Sequence, residues 1–239
     1  MPRLSAGQLL FFIFLAFAFF YSRDPGFFSH PGALGPQLTE TLVFAAAIIL
    51  AITVHEANHA FVAVTLGDNT PKLMGRLSLN PLRHLDPMGT ILLFIAHFGW
   101  GKPVLFNPRN LRVNPLIGSA AVSFAGPLAN VLFALVLVYA FNMIRPELGA
   151  VERSFVQDLI QINIVLAAFN LVPIPPLDGF GVLQGLLPPR LAYALEPLRQ
   201  YGPIILLIAI FLPQLGGPSI IGPIMRPIIG LIQTLIRAV

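Results

Sequence analysis

The sequence contains no cysteine. Disulfides and thiolate metal sites are therefore excluded, and any bound metal must be held by His, Asp or Glu. Charge is also scarce. Only 10% of the 239 residues are Asp, Glu, Lys or Arg, against about 25% in an ordinary soluble domain. Hydrophobic residues make up 56% of the chain and its mean hydropathy is +0.82, so a lipid bilayer is the expected solvent. The formal net charge of +4 rests on few residues. These lie in connecting segments and lack the arginine-aromatic interleaving of a nucleic-acid surface, which argues against nucleic acid as a partner.

Apolar runs able to cross about 30 Å of hydrocarbon at about 1.5 Å per residue fall at residues 7–21, 38–66, 113–142, 155–172, 201–213 and 219–238. The first follows a basic start, as a secretory signal would. However, Tyr21, Ser22, Arg23 and Asp24 make a poor cleavage site, so a retained anchor is expected. With the N-terminus cytoplasmic, the inner connections hold most of the arginines and lysines, as the positive-inside rule requires. Residues 88–98 are apolar but short, and GWGKPV follows them. The expected fold is an all-α polytopic membrane protein of about six transmembrane helices, with a small re-entrant or β-strand element on the cytoplasmic side. No break marks a second domain, so residues 1–239 read as one membrane-embedded domain.

The second run contains AITVHEANHAFVAVTLGD, an HExxH motif with Gly67 placed where a helix would end. At about 100° per residue, His55 and His59 lie on one face, one turn apart, so both imidazoles can reach one zinc ion. Glu56 projects beside them, where it can take a proton from an activated water and deliver it to a leaving amine. A histidine pair satisfied by neighbouring carbonyls is the structural alternative, but ionisable groups in an apolar span are costly unless paired, hydrated or bound to metal. Catalytic zinc takes three protein ligands, so a third is needed. Asp178, in FNLVPIPPLDGFG, lies where prolines break an apolar helix, a place tolerable only beside a cavity or protein. His84 and Asp86 are flanked by polar residues and read as interfacial loop groups. His97, beside Trp100, reads the same way.

HEANHA, then SFAGPLAN, then FNLVPIPPLDG, in this order, resemble the site-2 protease family of intramembrane zinc metalloproteases (peptidase family M50). The likeness covers about residues 38–185, taken as the catalytic core. No PDZ- or CBS-type segment is evident, which fits the compact prokaryotic type and implies a multi-pass protein of a prokaryotic cell membrane. The resemblance implies that His55, His59 and Asp178 bind one catalytic Zn2+ and that Glu56 activates water. It also implies that Asn170 orients substrate or stabilises the oxyanion, with a helix-helix hydrogen bond as the competing role. The implied activity is regulated intramembrane proteolysis, the partners being the bilayer and a membrane protein with a transmembrane segment. Asn130 is read as a buried interhelical hydrogen-bonding group or a residue touching the site. GWGKPV suggests an edge strand that pairs with substrate. Two departures from the family pattern are Asn58, where Gly or Ala is common, and Phe180, where a second Gly often follows the LDG.

A metal-ion transporter or metal-responsive scaffold is the alternative of another class. It would be expected to show repeated ligand sets or paired broken helices, and neither is evident. A prenyl-protein protease acting on soluble tails also uses HExxH, but the LDG partner motif favours the first reading.

Overall fold

The structure, a computed structural model, describes residues 34–86 and 101–237. Its long helices are α1 (Leu34–Thr65), α2 (Pro115–Ile144), α3 (Ala150–Asn170), α4 (Asp178–Leu186), α5 (Pro189–Leu195), α6 (Leu198–Phe211) and α7 (Ile221–Arg237). Among the described residues the only β structure is an isolated antiparallel bridge between Leu85 and Gly101. The expected strand element is thus reduced to one bridge there. Residues 7–21, residues 88–98, His97 and Trp100 lie outside the described residues.

Two described helices are long and apolar enough to cross a membrane, at Leu42–Thr65 and Pro115–Glu147. The pair α5 and α6, bent by 62°, makes a third if it is one span. The expected run at 155–172 becomes α3, which begins earlier and carries Glu152, Arg153, Gln157 and Asp158 in its first half. Those residues keep it below the apolarity of α1 and α2.

Helix ends follow local chemistry. α1 closes on Gly67, whose φ of 116° places it in the left-handed region that a side chain resists. Asp68 N–H donates to the Ala63 carbonyl and Gly67 N–H to that of Val64, the paired bonds of a Schellman motif. α2 opens on Asn114, whose side-chain oxygen accepts from Leu116 and Ile117 N–H, with Pro115 in the first helical position.

Packing centres on α2, against which α1, α3 and α4 all lie. The buried residues of α1 and α2 are mostly small. Ala47, Ala51, Ala60 and Ala63 on α1 are fully buried, and Gly118, Ala125, Gly126, Ala129 and Ala134 are buried on α2. In lipid, where apolar burial does not by itself drive helices together, close backbone approach through such residues supplies the packing. α4 is seated the same way. A Cβ on Gly185 would strike that of Ala120, and one on Gly181 would strike Ser123 Oγ. The small residues of SFAGPLAN therefore pack helices, as expected. They also bring the start of α4 down onto the middle of α1.

Candidate metal centre

His55 and His59 project from α1 on one face, both buried, and Asp178 reaches them from the first residue of α4. The Nε2 atoms of the two histidines lie 3.0 Å apart. Asp178 Oδ2 is 3.0 Å from Nε2 of His55 and 3.3 Å from that of His59. These separations approach the edge of about 3.3 Å expected of ligands set tetrahedrally about 2.0–2.1 Å from a zinc ion.

Neighbouring hydrogen bonds decide what the three atoms present to one another. His59 Nδ1 lies 2.6 Å from the carbonyl oxygen of Val122, which can only accept, so the proton sits on Nδ1 and Nε2 carries a lone pair. For His55 the argument runs through a buried chain of amides. Asn163 Nδ2 donates to the Leu159 carbonyl, which turns its oxygen toward Asn130. Asn130 Nδ2 donates to that oxygen at 2.6 Å and to the Ala51 carbonyl at 3.1 Å. Asn130 Oδ1 then accepts from His55 Nδ1 at 2.6 Å. Both Nε2 atoms thus aim lone pairs at each other and at a carboxylate oxygen. With both rings neutral, three converging acceptors repel unless a proton or a metal cation lies between them, and two imidazoles with a carboxylate form a zinc donor set. Gly126 of α2 faces the same point. A Cβ there would lie against Nε2 of both His55 and His59, so only glycine leaves the ligand atoms clear.

Glu56 is half-buried beside this group, and its Oε2 accepts from Val104 N–H at 3.2 Å. Asn170, at the last turn of α3, lines the same cavity, of about 310 Å³, as His55, Glu56, His59 and Asp178. Its Nδ2 donates to the Leu166 carbonyl of its own helix, and among the described residues that nitrogen makes no bond to another helix. The residues expected to meet therefore line one cavity. Asn130 takes both roles open to it, as a link between helices and a direct partner of His55. Asn58 donates to the Val54 carbonyl one turn back on α1. Phe180 is buried in α4.

Two features were not foreseen. Asn163 orients Asn130, and its only sequence signal is an amide within an apolar helix. Asp68, fully buried just past α1, accepts from Thr70 N–H and Oγ1, from Asn110 Nδ2, and from Asn107 N–H at 2.6 Å. Burial pushes its carboxyl up, but the hydrogen bonds from Thr70, Asn110 and Asn107 outweigh that and hold it below the usual carboxylate range. Residues 101–107 are thereby pinned at both ends. Lys102 N–H bonds the His84 carbonyl at one end and Asn107 N–H bonds Asp68 at the other, with Val104 resting on Glu56 between them. His84, expected at an interface, is fully buried. Its Nε2 lies 2.7 Å from the Ser78 carbonyl, which closes the loop on itself.

No family model matches the chain, and no solved structure matches it. Curated proteins do. Over 198 residues it is 40% identical to the Bacillus subtilis protein named "Putative zinc metalloprotease YwhC", covering 80% of this chain and 87% of that one. Over 172 residues it is 33% identical to the Mycobacterium tuberculosis H37Rv protein named "Putative zinc metalloprotease Rip2", covering 71% of this chain and 66% of that one. A Mycolicibacterium smegmatis protein of the same name is 33% identical over 174 residues, 70% of this chain and 66% of that one. With a His-His-Asp group suited to one catalytic zinc ion and helices apolar enough for a membrane, the chain belongs to the site-2 protease family of zinc metalloproteases (peptidase family M50).

Proposed function

We propose that this protein is an intramembrane endopeptidase that hydrolyses a peptide bond in or near the transmembrane segment of a membrane-protein substrate. The observation that carries the reading is that one member of the His-His-Asp group, His55, shares the wall of an apolar cavity with Glu56. That cavity, of about 610 Å³, includes His55 and Glu56 in its wall and is otherwise lined mainly by apolar residues such as Ile52, Leu166, Phe169, Leu206 and Phe211. A soluble peptide has no need of such a surface, whereas an apolar substrate segment does.

His55, His59 and Asp178 are the residues that would hold zinc, which when bound supplies Lewis acidity and lowers the pKa of water. Glu56 takes the proton from the attacking water and returns it to the leaving amine. Val104 N–H, on Oε2, holds the carboxylate in place and leaves its other oxygen for this proton transfer. Asn170 lines the same cavity, and the second hydrogen of its amide nitrogen, beside the one given to the Leu166 carbonyl, donates to the oxygen of the carbonyl under attack. A helical substrate must expose its scissile bond. Residues 101–107, tied at both ends, offer backbone to which an unwound substrate segment adds as a strand.

In this reading residues 1–239 form one multi-pass unit of about six spans in a prokaryotic cell membrane, with a cytoplasmic N-terminus and a role in regulated proteolysis. The test is cleavage of single-span membrane proteins by purified wild type and Glu56→Gln, with product masses locating the cut. The expected result is a cut within or beside the span by wild type, a loss of about 10²–10⁴-fold in the variant, and equal zinc content in both. Retained cleavage by Glu56→Gln would overturn the assigned base. Cuts confined to soluble tails would overturn the intramembrane reading.

A further inference from the structure

The cavity that holds His55, Glu56, His59 and Asp178 has one cationic side chain among the described residues in its wall, Arg199. No step of the proposed hydrolysis uses it. Its placement is nonetheless specified. Gln184 of α4 is buried, and its amide nitrogen donates to the Ala192 carbonyl at 3.0 Å and to Glu196 Oε2 at 2.8 Å. Its oxygen is thereby turned to Arg199 and accepts from Nη2 at 2.5 Å. The face of Phe180, also on α4, lies 5.2 Å beneath the guanidinium carbon. The helix that begins with Asp178 therefore orients Arg199 as well, and fixes the cation relative to the metal ligands.

The partner that neutralises Arg199 does not consume it. Glu196 lies three residues earlier, with Oε1 3.1 Å from Arg199 Nε, and the two side chains are 57% and 47% exposed. Ion pairs as exposed as this one are weak and are easily shared or displaced. Nε and Nη2 are engaged, while Nη1 has no hydrogen-bond partner among the described residues. A planar guanidinium on a cavity wall, held by an amide and an aromatic ring and with Nη1 left to bond, is arranged to bind a carboxylate.

We propose that Arg199 forms an anion subsite of the catalytic cavity and selects substrates that place a carboxylate near the scissile bond. Resting on the protease reading, this deepens it from an apolar segment to an apolar segment flanked by an acidic group. The carboxylate has two sources, an Asp or Glu side chain or the C-terminus of a trimmed substrate. A lipid headgroup is disfavoured because Arg199 lines the same cavity as the metal ligands.

The test uses the full chain, loaded with zinc and carrying Glu56→Gln so that peptide binding is measured without turnover. The probes are apolar peptides of transmembrane length, with Glu or Gln at each position in turn and with a free or amidated C-terminus. Binding about tenfold tighter is expected for a carboxylate at one position or at the terminus. Added Arg199→Gln should abolish that preference with zinc content unchanged, Arg199→Lys should keep part of it, and Glu196→Gln should preserve it. Equal binding of Glu and Gln peptides and of free and amidated ends, or a preference that survives Arg199→Gln, would overturn the subsite. So would a preference that tracks only the anionic lipid content of the vesicles. Cleavage by the chain with Glu56 restored is scored separately. Carboxylate preference without cleavage would leave the subsite standing and remove the peptidase reading, and cleavage without preference would do the reverse.

Discussion

The two ends of the described chain are held together by different means. Where α1, α2 and α3 meet, most of the buried residues are alanine and glycine, and His55, Asn130 and Asn163 are joined in one hydrogen-bonded chain. Where α6, which lines the apolar cavity, packs near the start of α7, the contacts are larger. Val172, Leu177, Ala209 and Ile221 form the buried cluster, with Leu206, Ile210 and Ile224 packed around it. Small residues bring backbones close and leave few rotamers, which suits a site whose ligand atoms must hold their spacing. Larger apolar side chains tolerate rearrangement, which suits the wall of a cavity that must accept a substrate segment. Precision and adaptability are thus placed in different helices.

That contrast is broken most severely at Asn130. Asn130→Ala leaves a buried His55 N–H without its acceptor, and zinc affinity should fall by about 10–100-fold. Asn163→Ala should have the same sign with a smaller effect. Competition for zinc against a calibrated chelator measures both, and unchanged affinity in Asn130→Ala would show that the amide chain does not set the His55 proton.

Asp68 should come next, as a stability effect. Asp68→Asn turns an amide N–H toward Asn107 N–H, and the chain should lose about 1–3 kcal/mol. The pH dependence carries a definite sign. Because its folded pKa is lowered, the stabilisation from Asp68 is fully present above the unfolded carboxylate range and is lost as pH falls through the folded value. The gap in thermal stability between wild type and Asp68→Asn should therefore narrow as pH is lowered from about 7 toward 3. A gap that widens would contradict the hydrogen-bond assignment.

The smallest effect is expected in the adaptable wall. Leu207 is 43% exposed and lines the apolar cavity. Leu207→Ala should alter stability by less than about 1 kcal/mol and leave zinc binding unchanged, while raising KM for an apolar substrate more than it lowers kcat. Loss of zinc in this variant would mean that the two regions are coupled rather than separate.

How far the sequence disclosed this arrangement follows from the same contrast. HExxH is legible because helical geometry alone puts His55 and His59 on one face, and Asp178 stands out because a carboxylate amid prolines in an apolar chain needs a reason. Gly67 marks its helix end because only its conformation closes α1 there. Asn163 and Asp68 are illegible because their roles depend on what faces them across other helices or a loop, and no periodicity encodes that. His84 looks like a surface residue from its polar neighbours, whereas the tertiary fold buries it. The beginning of α3 is misplaced because hydropathy reports the apolar stretch, while the helix extends into a polar turn that hydropathy ignores. The strand expected around 101–105 has the right irregular backbone, but among described residues its pairing is one bridge and hydrogen bonds to side chains.

Zinc stoichiometry with X-ray absorption of the bound metal tests the His-His-Asp centre most directly. Wild type and Glu56→Gln should each hold about one zinc per chain, with nitrogen and oxygen neighbours at about 2.0–2.1 Å and two imidazoles in the shell. His59→Ala and Asp178→Ala should each lose most of it. Full zinc occupancy with an unaltered shell in both of those variants would place the metal elsewhere in the molecule and contradict the centre described.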